Sequence, residues 1–363
     1  MSLDTPYRAI FCDLITDQTL DILPLRDVSF DDYIGKAGSM SGTIPIPNKE
    51  IADRVKKVRE GRTAVYLERG GDLWWGGIVW TSTLQSSGRG VLTLSLQAAT
   101  FDSYAGRRRI RTEIKYTDTE QLDIARGLWT ELTRGGFQIE FGEEASEVKR
   151  TVSWRPGDET VYLEALDQLA ALRDGFEHQI LVYRDPVTGR RIRQLRLGSP
   201  QIRTGATDLI FDRPGAILSY SFPWDATRGG TTALARGAST NSNAAAESRP
   251  LVSREQVATD LLADGWPLID LSSDHNEVTD QLTLDSLAAA ELGQARGAVV
   301  IPAISIRLGG IVPPALLGRV ARVRITDEWF ADGLDARYRI IGVKVTPQER
   351  GRPDTAELYL EEA

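Results

Sequence analysis

"GGDLWWGGIVWTST", residues 70–83, sets three tryptophans and two Gly-Gly pairs into fourteen positions. A strand's period of two puts Trp74, Ile78 and Trp80 near one face and Trp75 and Val79 on the other. The adjacent indoles then point apart and cannot make one flat platform for a sugar ring or a base. A strand that is bulky on both faces is buried on both, by its own core on one side and by a neighbour on the other. Gly76 and Gly77 allow a bulge or the close approach of another backbone. The stretch reads as the middle of a sheet, with Trp74, Trp75, Gly76, Gly77 and Trp80 as candidate core and subunit-interface residues. A ligand surface built on the same tryptophans is the alternative.

Around this strand the text is short β segments punctuated by turn residues: "PYRAIFCDLIT", "TLDILPL" and "SMSGTIPIP" before it, the alternating "GVLTLSLQA" after it. One helix interrupts them, over 48–60, with Asn48 as cap and Ile51, Val55 and Val58 at helical spacing. Residues 1–105 are thus expected to form a first small β-barrel or sandwich.

The texture changes at 106–205. "TDTEQLDIARGLWTELTRGG" begins with Thr117 and Glu120 at capping-box spacing and stripes Leu122, Ala125, Leu128, Trp129 and Leu132 along one face. Gly135-Gly136 stops it. "DETVYLEALDQLAALRDG" repeats the design, and "EHQILVYRD" and "RRIRQLRLG" flank a turn, so this region is expected to be an α+β insert. Strands return over 206–363, interrupted by an insertion expected at 237–317. That insertion opens with the small-residue loop "GASTNSNAAAESRP" (237–250) and holds helices near 253–263 and 281–296.

The two β regions echo each other. "SFDDYIGKAG" from Ser29 matches "SFPWDATRGG" from Ser221, each with a Gly eight positions after the Phe. "GRTAVYL" from Gly61 matches "GRVARVRI" from Gly318, and "GIVWTSTLQSSGRG" from Gly77 matches "GVKVTPQERGRP" from Gly342. Closing strands follow with Leu92, Leu94 and Leu96 against Ala356, Leu358 and Leu360. Four matches in one order predict a duplication. The fold expected is mainly β with an α+β insert: two similar small β-barrels plus a helix-containing middle domain. Two like barrels per chain give a trimer six, which joins a sixfold tube to a threefold tip.

The order "SGTIPIP", helix, "GRTAVYLERGGDLWWGGIVWTST", "GVLTLSL" resembles the N-terminal part of tail hub (minor tail) proteins of long-tailed phages infecting actinobacteria. The whole plan is similar to the baseplate hub of contractile T-even phages and to the N-terminal hub region of tail-associated lysins. Distinctive sequence covers about residues 28 to 100, and the architecture covers most of the chain. The resemblance implies a homotrimeric ring at the distal tail tip of the virion, beneath the distal tail or tail-tube protein. Its channel would pass DNA or the tape measure protein without specific binding, and tip, fibre or receptor-binding proteins would complete the particle. It implies no catalysis. Relatives often carry a peptidase, lysozyme or fibre extension after the hub, and this chain ends at Ala363 after its last strand.

Composition narrows the rivals. Net charge is −8, which argues against a nucleic-acid grip over the whole surface and predicts a neutral or acidic channel face. One cysteine, Cys12, excludes an internal disulfide framework and a Cys-based zinc site, and two histidines leave little for His-centred chemistry. No apolar run reaches the ~18 residues of a membrane helix. The opening residues show neither a basic leader nor an apolar signal core, so synthesis in a host cytoplasm without a membrane anchor is expected. "GKAGSMSG" near Gly35 lacks the Walker spacing, and "DHNEVTD" (274–280) lacks the EF-hand glycine. No nucleophile elbow, metalloprotease helix or dinucleotide loop occurs. Catalytic, cofactor and metal residues are therefore expected to be none. Adjacent acids such as Asp31-Asp32 point to opposite faces of a strand and make no acid–base pair. The densest basic run, Arg107, Arg108, Arg109 and Arg111, is a candidate contact patch for DNA phosphates or the tape measure, or an internal salt-linked cluster. A carbohydrate-binding receptor module and a cell-wall hydrolase stay open as rivals.

Overall fold

The computed structural model describes residues 7–88, 90–172, 174–239, 249–275, 278–347 and 353–363. Two compact units divide the chain, Met1–Tyr220 with Ala303–Ala363 and Ser221–Pro302.

The larger unit begins with β1 (Arg8–Asp13), β2 (Thr19–Leu23), β3 (Arg26–Tyr33), β4 (Ser39–Ile46), α1 (Lys49–Val55), β5 (Thr63–Arg69), β6 (Asp72–Ser86) and β7 (Leu92–Thr100). They hydrogen-bond in the order β3-β4-β7-β6-β5-β1-β2, each pair antiparallel. Alternation sets the inner face: Met40, Ile44, Ile46, Leu96 and Ala98 are buried while Ser39, Ser41 and Gln97 face out. α1 starts where expected, with the Asn48 side chain accepting from the Ile51 N–H at 2.9 Å, and stops earlier, at Val55.

The next stretch supplies β8 (Ile114–Glu120), α2 (Gln121–Thr133), β9 (Glu140–Phe141), β10 (Lys149–Trp154), α3 (Tyr162–Ala170), β11 (Glu177–Arg184) and β12 (Arg191–Gly198). Thr117 lies inside β8, so the expected capping box does not form. The Glu120 carboxylate caps α2 directly, accepting from the N–H groups of Leu122 and Asp123 at 3.1 and 3.2 Å. Gly135, at φ +72°, ends the helix in the left-handed region as its sequence predicts. Leu122, Leu128, Trp129 and Leu132 of α2 and Leu166 and Leu169 of α3 share one core with Ile10, Cys12, Tyr66 and Ile78 of the first sheet. Each fully buried apolar side chain stabilises by about 1.5–3 kcal/mol. Residues 106–205 therefore build no separate core; they roof the outer face of β1, β5 and β6.

After β13 (Leu209–Arg213) and β14 (Ile217–Ser221) comes the smaller unit, with β15 (Trp224–Asp225), β16 (Thr232–Ser239), β17 (Pro250–Val252), β18 (Gln256–Val257), α4 (Thr259–Ala263), β19 (Asp270–Asp274), α5 (Gln281–Gln294) and β20 (Val299–Val300). β16 is its spine, antiparallel to β17 and β18 and parallel to β19. Leu284, Leu287 and Ala288 of α5 pack on Ala235, and Leu292 on Ala233. The helix expected over 253–263 is confined to α4, because Gln256–Val257 pair with β16 first. Most of the loop expected at 237–250 lies outside the described residues, as do Asn276 and Glu277 of "DHNEVTD".

The chain returns with β21 (Ala303–Arg307), β22 (Val320–Ile325), β23 (Leu334–Thr346) and β24 (Thr355–Glu362). Their order, β14-β21-β24-β23-β22-β13, reproduces β3-β4-β7-β6-β5-β1 strand for strand. The sixth strand departs in direction, β13 running parallel to β22 where β1 is antiparallel to β5. β3 also pairs antiparallel with β23, which fuses both repeats into one 13-stranded sheet.

The insertion differs from expectation in place. It spans Ser221–Pro302, between β14 and β21, where the first repeat has the tight turn from β3 to β4. The site of α1 holds only a 3-10 turn, Pro313–Ala315. "TTALARG" carries the same small, Thr-bearing text as β4 but belongs to β16; the true counterpart of β4 is "AISIR".

Candidate functional site

Both faces of the opening stretch are covered by this chain itself. Trp74 is 2% exposed and Trp75 1%, and Gly76 and Gly77 are buried with them. Trp74 packs edge-on to Tyr7 at 5.2 Å, and the Trp75 indole N–H donates to the Asp31 carbonyl at 2.9 Å. A methyl on Gly76 would come within 2.8 Å of the Tyr66 ring and 3.2 Å of Val182 in β11; one on Gly77 would sit 2.2 Å from the Ala99 carbonyl oxygen. These four residues thus cannot form the anticipated subunit interface or a sugar platform. The 106–205 segment of the same chain covers the Gly76 and Ile78 face, while Trp74 lies against Tyr7 and Arg69. Trp80 alone is half-buried; its N–H donates to Ser103 Oγ at 2.8 Å, and the Arg107 guanidinium lies 5.2 Å from its ring.

The basic run is spent locally. Arg108 donates to the Leu132 carbonyl at the end of α2, and Arg109 to the Glu159 carbonyl at 2.5 Å. Arg111 pairs with the Glu159 carboxylate. Arg107 lies against Trp80, and Arg107, Arg109 and Arg111 keep exposed side chains, so these contacts sit beside a basic surface.

A surface cavity of about 400 Å³ lies beside the β11–β12 turn, lined by Asp17, Gln138, Glu140, Thr188, Arg191 and Arg193 among others. Its two inner guanidiniums are held by Asp17, each at 2.8 Å, and no aromatic ring lines it.

Buried charge ties the segments together. Arg339, fully buried in β23, donates to Glu177 of β11 at 2.6 Å, to Glu361 of β24 at 2.6 Å and to the Ile202 carbonyl at 2.9 Å. Asp32, on the inner face of β3, accepts from the Tyr33 N–H at 2.9 Å and from Gln179 Nε2 at 3.1 Å. Burial, and next the neighbouring Asp102 charge, push its carboxyl up to about 8. Burial likewise raises Asp102, which accepts from the Ile180 N–H at 3.0 Å. The second oxygen of Asp102, Nδ1 of His178 and Oε1 of Gln179 have no hydrogen-bond partner among the described residues. Buried acids with a raised pKa can mark catalysis. These are closed off under β3 and β11 and reach no cleft, so they read as structure.

The outward face of the fused sheet is different. Register aligns Ser41–Gln97–Thr81, Thr43–Ser95–Thr83 and Pro45–Thr93–Gln85 in three cross-strand rows of β4, β7 and β6. All nine side chains are uncharged. The equivalent rows of the second repeat set Lys344 opposite Glu357 and Arg307 opposite Thr355, and β3 brings Asp31 opposite Lys344 and Arg26 opposite Thr43.

Two local features prove the repeats equivalent at the backbone. Gly61 and Gly318, at φ +72° and +83°, donate their N–H groups to Val79 at 2.7 Å and to Ile340 at 2.9 Å. Directly after each acceptor the register slips by one residue, at Trp80 and at Ile341. The matching of Gly77 with Gly342 is thereby corrected. Gly342 follows the bulge and is the counterpart of Thr81, and Leu94, Leu96 and Ala98 answer Ala356, Leu358 and Leu360.

Solved structures share this arrangement. The 43 kDa tail protein of prophage MuSo2 from Shewanella oneidensis aligns over 98% of both chains with a TM-score of 0.64 at 11% identity. The chain has the fold of a phage tail protein. A tail protein from Neisseria meningitidis shares the fold over 98% of this chain and 96% of its own (TM-score 0.59, 15% identity), and a prophage tail protein from Listeria monocytogenes over 97% and 94% (TM-score 0.54, 13% identity). No family model and no curated protein matches the sequence. The tail-protein fold was legible as a mainly β chain with a helical segment, and the resemblance stated from residues 28 to 100 agrees with these neighbours.

Proposed function

We propose that this chain is a structural, non-enzymatic hub protein of a phage tail tip, three copies closing into a ring of six near-equivalent sheets. The observation that carries the reading is the repeated strand order with its shared glycine bond and bulge, because a trimer of such chains offers six similar edges to a sixfold partner. A distal tail or tail-tube protein would sit on that side, and tip or fibre proteins on the threefold side. The fused sheet, with the uncharged outward rows of β4, β7 and β6, would line a bore through which DNA or the tape measure slides without strong counterion-release binding.

The sugar-binding alternative loses Trp74 and Trp75 to the core, and nothing favours hydrolysis. Imaging an intact tail end with the chain labelled tests the proposal: density for three copies around the axis is expected. A chain absent from particles and monomeric at high concentration overturns it.

A further inference from the structure

We propose that β14 of one copy pairs with the free half of β6 in the next copy, continuing the fused sheet across the subunit boundary. The inference rests on the ring reading and names the strands that close it.

β23 is long, and its two halves have different partners on the same side. Leu334–Arg339 pair with β22, and beyond the bulge Gly342–Val345 pair with β3 at Phe30–Tyr33. β6 is its counterpart in the first repeat, with the same bulge. Its early half, Asp72–Ile78, pairs with β5, while residues 81–86 pair with β7 alone among the described residues. Among the described residues, no strand takes on β6 the seat that β3 fills on β23. The strand equivalent to β3 is β14, which pairs with β21 and ends the sheet path. Repeat symmetry therefore makes the internal contact β23·β3 the template for β6·β14 between copies. The edge of β14 cannot reach its own chain's β6 through the sheet, because six strands separate them.

Burial and composition agree. Leu84 is the positional twin of Val345; Val345 is fully buried beside β3, and Leu84 is 63% exposed. Exposed edges of lone proteins are guarded by charge, proline or cover. The outer strands β2 and β13 carry such guards, Asp21 held by Arg54 in β2 and Asp212 and Arg213 in β13. "TSTLQS" of β6 and "ILSYS" of β14 hold no charge and no proline. The β6 edge, unguarded and with an exposed leucine, invites another strand; β14 keeps one guard, the Arg213 guanidinium on its Leu218 carbonyl at 2.9 Å, which the incoming N–H would displace. Head-to-tail repetition of this one contact closes a ring.

The test uses full-length chains. Thr83→Cys and Ser219→Cys are made separately, mixed and treated with a short bismaleimide, while mass is read by light scattering. Cys12 is buried and stays silent. Trimers whose mixed sample yields covalent chain-to-chain products, mapped to the 83–219 pair, support the proposal. Trimers without that product overturn the strand assignment and leave the ring reading standing; monomers at every concentration overturn both. Leu84→Lys, at an exposed position, is expected to abolish the trimer and leave the thermal unfolding of the monomer unchanged. A trimer that persists in this variant also overturns the assignment.

Discussion

Arg339 and Glu177 lie 162 positions apart and meet through two hydrogen bonds, one of 2.6 Å, with the guanidinium wholly excluded from solvent. The planar fork also serves Glu361 and the Ile202 carbonyl, so one side chain holds β11, β23 and β24 together. Removing one partner of a buried pair leaves an uncompensated charge and costs about 3–5 kcal/mol. Arg339→Ala should lose about that much in urea unfolding, and Arg339→Lys most of it, since an ammonium cannot span both carboxylates. A loss under ~1 kcal/mol for Arg339→Ala would show that the clamp holds little.

Asp32 supplies a pH dependence. Its carboxyl titrates near 8 in the folded chain against an ordinary value near 3.8, so the folded state holds the extra proton between those limits. The contribution of Asp32 to stability is therefore greatest below about pH 4, falls as pH rises towards 8, and is flat beyond. The slope in that window approaches ~1.4 kcal/mol per pH unit for one proton, and Asp102, raised in the same direction, steepens it. Asp32→Asn keeps the shape and removes the charge, and its amide can donate to the unsatisfied Oε1 of a turned Gln179. Urea titrations at pH 5 to 9 should show the variant more stable than the parent at pH 8 and less sensitive to pH. Parallel slopes for the two proteins would contradict the assignment.

These two sites mark where reading the sequence stopped. α2 and α3 were legible because a 3.6-residue stripe and a glycine stop are local signals, and the strands because alternation is local. The opposed faces of Asp31 and Asp32 were legible for the same reason: Asp31 points out and bonds Ser39, while Asp32 points in. Whose surface covers Trp74 and Trp75 was not, since two-sided bulk demands a cover without naming it. Nor does "ARYRIIGVKVT" distinguish its buried Arg339 from its exposed Arg337, because the partner carboxylate Glu177 belongs to β11. The insertion point was misplaced because β16 and β4 use the same small residues, and only pairing tells them apart.

The glycine pair in β6 yields a sharp contrast. Gly77→Ala would press a methyl against the Ala99 carbonyl oxygen, backbone that cannot yield without breaking the β6–β7 ladder. Overpacking of this kind costs about 1–3 kcal/mol or more, and the variant should unfold at lower denaturant. Gly88→Ala, in open space with an ordinary φ, should change stability by less than ~0.5 kcal/mol and serves as the control. Equal midpoints for the two would refute the steric account.

The uncharged rows of β4, β7 and β6 allow the proposed bore to be tested. Ser95 and Gln97 face outward on the central strand of those rows, clear of the core on the other side. Ser95→Lys with Gln97→Lys adds two positive charges per chain without touching a buried residue, so folding and assembly should be unaffected. If three chains surround a channel, six new ammonium groups then face the same narrow space. Duplex DNA passing there would bind them and release its condensed counterions to bulk solution, an attraction that falls steeply as salt rises. Particles carrying the variant should release their genome more slowly at low salt and recover the parental rate at high salt. An unchanged release rate at both salt levels, from particles that contain the variant, would remove this face from the channel.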